Sequence, residues 1–304
     1  MKFNLKLFKD NMKPFHSNIY IIILFLNLNF SNTECGTQQI ENEFNLSQIL
    51  LQNKIVEDYE YNRDEYWTPI FFHVVRTSNS EGGIPLSRLE QGIYDLNYMY
   101  QDANLYFYQH PSSPSYIDSD TYYSVDNYDE IEELRLTDTA NNTINIYIVS
   151  YLSSNGIDEL CGISSFVGSE SQGIVMSESC FAIPDNHSTL SHEVGHYFNL
   201  LHTHTGSGDQ NGDGIIDGEN AEYVDGQECN LRGDDLCDTP ADPNLSELVN
   251  SGCQYIGDYI DAHGDEYMPD TSNLMSYSEK SCRDYFSTQQ EELVIYTLLE
   301  HRPE

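Results

Sequence analysis

Apolar and polar positions divide the chain into a few well-marked stretches. Ile70-Phe71-Phe72-His73-Val74-Val75 is a short, nearly continuous apolar run of the kind that forms a buried strand. Leu86, Leu89, Ile93, Leu96 and Tyr100 then repeat at helical spacing, and Leu105 to Tyr108 reads as a second strand. The stretch from Pro111 to Asn127, rich in Pro, Ser, Asp and Tyr, is expected to be a loop. Ile144, Ile146 and Ile148 alternate as strand residues do, and Gly173-Ile174-Val175-Met176 predicts an edge strand bordering a cleft. A helix should follow, with Ser188 as its N-cap. Ser287 and Gln290 make a capping box for a closing helix that carries Leu293, Ile295, Leu298 and Leu299. No internal repeat interrupts this order.

The helix after Ser188 holds the chemistry. His192 and His196 are four residues apart, so on a helix they share one face and can both reach one metal ion at about 2.0–2.1 Å. Glu193 sits beside them as a base. His202 could not join them on a continuous helix, because ten residues at roughly 1.5 Å each would carry it about 15 Å along the axis. The helix must break, and Asn199 is the expected breaking point, since asparagine tolerates the left-handed conformation that ends helices. The competing reading is an ordinary amphipathic helix with Leu190, Val194, Tyr197 and Leu201 on a core. The third histidine, with a breaker where geometry demands one, favours the metal site. His204 is a weaker alternative for the third ligand and is expected to be a solvent or loop histidine.

These residues resemble the metzincin zinc peptidases, and within them the pappalysin and cytophagalysin group. The extended zinc motif of that family matches from His192 to His202, with Asn199 where most members carry glycine. Ser272-Asn273-Leu274-Met275-Ser276-Tyr277 resembles the family's Met-turn, in which Met275 would lie beneath the metal and Tyr277 would point towards it. Gly233-Asp234-Asp235-Leu236-Cys237-Asp238-Thr239-Pro240-Ala241 is similar to a segment common in the group, and Cys253 and Cys282 fall where its cysteines usually do. The resemblance runs from about Trp67 to Phe286 and implies a two-lobed α+β fold with a mixed sheet, an active-site helix, a Met-turn and a C-terminal helix. It also implies that Tyr277 stabilises the oxyanion.

Composition narrows the setting. Fifty acidic residues against thirteen basic ones argue against nucleic-acid binding through a basic surface. Lys2, Lys6, Lys9 and Lys13 precede an apolar run from Ile19 to Phe30 that is too short for a typical membrane span, which predicts a secretory signal peptide over residues 1–31. Residues 32–66 read as a polar, acidic propeptide-like segment, and 67–304 as the catalytic domain. The mature form is therefore expected outside the cell, without stable membrane insertion. Six cysteines of the catalytic domain suit that compartment. Sequence does not fix their connectivity, but short loops suggest Cys161 with Cys180 and Cys229 with Cys237, leaving Cys253 with Cys282. The absence of any C-x-x-C argues against a cysteine zinc site. Asp209, Asn211, Asp213 and Asp217 place oxygen ligands at alternate positions around Gly212 and Gly214, as in a calcium loop, and Asp234, Asp235 and Asp238 offer a second candidate.

The expected activity is zinc-dependent hydrolysis of internal bonds in protein or peptide substrates, by attack of a zinc-bound water with Glu193 as general base. The alternative is a non-catalytic, calcium-stabilised adhesion or binding module that keeps zinc for structure. Cys35, the odd cysteine, could donate a thiolate to the open zinc position and hold the enzyme latent, and relatives carry a similar cysteine in their prosegments.

Overall fold

The computed structural model describes residues 35–37, 65–154, 156–157, 159–184 and 186–301. The expected signal peptide lies outside these residues, as does most of the propeptide-like segment. Among the described residues no helix is long and apolar enough to cross a membrane.

The apolar run noted above extends into the long strand β1 (Tyr66–Arg76), an interior strand of the main sheet. It leads through α1 (Leu86–Met99) to β2 (Leu105–Gln109), which pairs parallel with the first half of β1. The expected loop after Pro111 is in fact structured. It contains β3 (Ser115–Asp118), parallel to the second half of β1, then α2 (Asp120–Tyr123) and β4 (Ser124–Val125). Side-chain caps explain why a polar stretch holds such elements. Ser119 accepts the Tyr122 N–H, and Asn127 accepts the Glu130 N–H to start α3 (Tyr128–Arg135).

β5 (Ile144–Val149) follows, then β6 (Tyr151–Leu152), β7 (Gly162–Ser164) and β8 (Ile174–Ser177). The main sheet runs β2-β1-β5-β8-β7, parallel throughout except for β7 against β8. β8 is thus an interior strand, not the expected edge. Its four residues are all buried, whereas the edge is the three-residue β7, whose Gly162 and Ser164 give no apolar signal.

Register sorts the side chains into two layers. Ile70, Phe72, Val74, Ile146, Ile148, Ile174 and Met176 form one face, packed on Leu89 and Leu96 of α1 and on Leu190 and Val194 of α4 (Thr189–Tyr197), the helix that carries His192 and His196. The other face carries Val75, Tyr147, Val149 and Val175 against Ile131 and Leu134 of α3. Burial on both faces is what a parallel sheet requires.

After α4 the chain is largely irregular, with only β9 (Ile215–Ile216) and β10 (Ile260–Asp261) before the closing helix α5 (Thr288–Glu300). Two small apolar clusters and the disulfides Cys229–Cys237 and Cys253–Cys282 support this region, and Cys161–Cys180 ties β7 to the turn after β8. The pairing suggested by short loops is the pairing found. The result is an α+β fold with a mostly parallel mixed sheet and a C-terminal helix.

Candidate active site

All nine residues of α4 are buried, so its polar side chains must find partners inside the protein. Ser188 occupies the position before the helix but does not cap it. Its hydroxyl donates to the Lys280 carbonyl, and Asn186 Oδ1 accepts the Thr189 N–H instead. At the other end Asn199 has φ of 67°, Asn199 N–H donates to His196 O, and Leu200 N–H donates to Gly195 O. This paired closure around one left-handed residue is the Schellman arrangement, and it turns the chain back as the sequence requires.

The turn brings His202 to the other two histidines. The Nε2 atoms of His192 and His196 are 3.2 Å apart, those of His196 and His202 2.9 Å, and those of His202 and His192 3.2 Å. His192 Nδ1 lies 2.7 Å from Leu274 O and His196 Nδ1 2.8 Å from Leu200 O. A carbonyl can only accept, so both rings carry their proton on Nδ1 and turn an Nε2 lone pair into the cluster. Lone pairs so close repel unless a cation sits among them, and ligands at about 2.0–2.1 Å in a tetrahedron are roughly 3.3 Å apart. Burial lowers the basicity of all three imidazoles, His196 to about 4 and His192 and His202 well below the ordinary value. They are therefore neutral near neutrality, as metal ligands must be. The donor set fits zinc.

Met275 is fully buried beneath the helix. A Cβ placed on Gly195 would come within 2.6 Å of Met275 Sδ, so glycine lets the methionine approach. Asn273 holds the turn by accepting the Met275 N–H at 2.8 Å and is itself clasped by Gln290 of α5. The Tyr277 ring lies 4.7 Å from that of His202, and its hydroxyl donates to Cys35 O at 3.0 Å. His204 lies in a turn, as expected of a loop histidine, but it faces the site and not solvent. Its ring packs 5.0 Å from His202 and 4.3 Å from Tyr277, so it forms part of the cleft wall.

Glu193 is fully buried against Gly162 of β7, where a Cβ would lie 2.8 Å from its Oε1. Burial pushes its carboxyl up to about 7, against the opposing pull of hydrogen bonds from Cys35 and Thr37 and of the Arg135 and Arg283 charges. Cys35 lies in the same cleft. Its sulfur and the three Nε2 atoms all fall within 4.8 Å of one another, and Gly36 N–H donates to Gly162 O at 2.8 Å, extending the sheet edge by one parallel bridge. Burial, then the nearby Glu193 charge, raises the thiol pKa well above its ordinary value in the absence of a cation.

The calcium candidates separate. Asp209 accepts the backbone N–H groups of Asn211, Gly212, Asp213 and Gly214, and Asn211 donates to Asp217, so this exposed loop is satisfied by its own bonds. Asp238 caps α5, accepting from the Ser287 hydroxyl and the Gln289 N–H. Asp234 and Asp242 both bear on Glu222 through their charges, a relation sequence reading missed because no local pattern connects them. All three are buried, and Glu222 Oε2 and Asp234 Oδ2 have no partner among the described residues. Burial raises Glu222 to about 9, helped by Asp234 and Asp242, and raises Asp234 to about 8 and Asp242 to about 6. Asp242 also accepts the hydroxyl of Thr203, the residue after His202.

Sheet order, the helix of His192 and His196, the methionine turn and the closing helix together give the fold of metzincin-like peptidases. Among solved structures the chain is similar to mature mirolysin of Tannerella forsythia in complex with a cleaved peptide, at 17% identity over 79% of this chain and 96% of that one, with a TM-score of 0.52. It is also similar to a promirolysin mutant from the same organism, at 15% identity over 88% and 97%, with a TM-score of 0.56. No family model and no curated protein matches the sequence. At these identities the likeness establishes the fold.

Proposed function

We propose that the protein is an exported zinc metalloendopeptidase, described here in a latent form. The observation that carries this reading is the convergence of the His192, His196 and His202 Nε2 atoms, 2.9–3.2 Å apart, beside a buried Glu193 and the edge of β7. Zinc held there supplies a Lewis acid that polarises a carbonyl oxygen and acidifies water. Glu193, with its carboxyl near 7, takes the proton of the attacking water and returns it to the leaving amine. The edge of β7, which now binds Gly36, aligns a substrate backbone, and the Tyr277 hydroxyl, now on Cys35 O, turns to the substrate carbonyl as charge develops. Cys35 would hold the ion together with the three histidines in the precursor and would keep water from it until residues up to about Tyr66 are removed. The three disulfides support export to an oxidising compartment.

Calcium belongs to this reading as a structural ion, with two sets of candidate carboxylates, the Asp209 loop and the buried Glu222, Asp234 and Asp242. The loop offers exposed carboxylates, while Glu222 Oε2 and Asp234 Oδ2 are buried oxygens without a hydrogen-bond partner among the described residues, which a cation would satisfy.

The decisive test is Glu193→Gln. The variant should bind one zinc per chain and cleave a peptide library at least about 1,000-fold more slowly than the activated wild type, since the attacking water loses its base. Retained cleavage would remove Glu193 from the mechanism.

A further inference from the structure

Thr37, two residues after Cys35, has no part in the reading above, yet its side chain is buried in the cleft. Its hydroxyl is held on two sides. It accepts the Ser164 N–H at 2.8 Å and donates to Glu193 Oε2 at 3.2 Å, while the competing acceptor, Ser164 O, is farther away at 3.5 Å. The Ser164 N–H occupies an oxygen lone pair and leaves the single hydroxyl proton aimed at the carboxylate. The Thr37 N–H in turn donates to Cys35 Sγ at 3.2 Å. Gly36 between them lies so close to Leu160 that a Cβ would sit 2.6 Å from Leu160 Cδ1, so the three residues lie flush against the wall. Their register is set by the parallel bridge of Cys35 to Gly162.

The sulfur alone could not complete this arrangement. Cys35 Sγ is 3.4 Å from Glu193 Oε2. Zinc is ligated by thiolate, which has no proton to give, so that contact would set sulfur and carboxylate together without a donor between them. Thr37 provides the donor. We propose that Thr37 is a second latch, whose hydroxyl ties down Glu193 independently of the bond between Cys35 and the metal. The tripeptide Cys35-Gly36-Thr37 thus occupies the metal and the base together, and the hydroxyl two residues after the thiol determines which peptides can seat in the cleft this way.

This inference rests on the latency reading, and the experiment separates the two. Full prosegment-bearing chains are compared as wild type, Thr37→Val, Thr37→Ser and Cys35→Ala. Peptidase activity is measured before any prosegment cleavage, and for the chains retaining Cys35 the rate of labelling by a maleimide is measured with zinc bound and after chelation. Thr37→Val keeps the shape and loses the donor, so its Cys35 should label about tenfold faster after chelation, the scale of one hydrogen bond to a charged group. Thr37→Ser should behave as wild type, which excludes a general packing defect. Equal labelling of Thr37→Val and wild type would overturn the second latch. If Cys35→Ala is active and Thr37→Val labels no faster, the thiol latch stands and this inference alone falls. A Cys35→Ala chain as inactive as the wild-type precursor would overturn the thiol latch on which it rests.

Discussion

Asn199 carries the conformational burden of the site, because its φ of 67° turns the chain so that His202 reaches the cluster and Leu200 O reaches His196 Nδ1. Asparagine tolerates that region better than residues without a short polar side chain, and glycine tolerates it best. Asn199→Ala should therefore lower stability by about 1 kcal/mol and weaken zinc binding, while Asn199→Gly should stay close to wild type. Thermal melts and zinc-to-protein ratios at limiting zinc would show the difference, and identical behaviour of the two variants would refute the argument. This residue was legible in the sequence because its constraint is local, since ten positions separate His192 from His202 and a breaker must fall between them. Gly162, Thr37 and Glu222 were not legible. Each matters through a partner more than ten residues away, and no spacing along the chain announces such a meeting.

At the scale of elements, α5 shows how a local signal comes to serve a distant site. Its capping box was readable because Ser287 and Gln290 satisfy each other's backbone groups within one turn. The folded chain adds Asp238, which accepts from the Ser287 hydroxyl and the Gln289 N–H, both at 2.8 Å, and so places negative charge at the positive end of the helix. Gln290 then reaches Asn273, which holds Met275. Ser287→Ala should cost about 1 kcal/mol, seen as a lower melting temperature with zinc content unchanged, and Ser287→Asp should lose part of that again by facing Asp238. A melting temperature equal to wild type for Ser287→Ala would show that Asp238 caps the helix unaided. The edge of the sheet gave the opposite lesson. β8 reads as an edge strand from its flanking glycine, but a three-residue strand with one large apolar side chain covers it, and only the antiparallel register of Gly162 to Ser164 reveals it.

Taken as a whole, the molecule carries far more acid than base, and the consequence for stability depends on where the acids lie. Burial raises Glu222 and Asp234 from ordinary values of 4.5 and 3.8 to about 9 and about 8. A raised carboxyl binds its proton more tightly in the folded chain than in the unfolded one. It therefore contributes stability that is fully present below the ordinary carboxylate range and is lost as pH rises through the folded value. With calcium removed by a selective chelator, the melting temperature should fall steadily as pH rises from about 6 to 9. A cation bound by the ionised groups reverses the preference, so excess calcium should raise the melting temperature most at the alkaline end and flatten the slope. Glu222→Gln should reduce the slope in chelator and weaken the response to calcium together. A melting temperature that does not change with pH in chelator, or a calcium response that survives Glu222→Gln intact while Asp209→Asn abolishes it, would move the ion to the Asp209 loop.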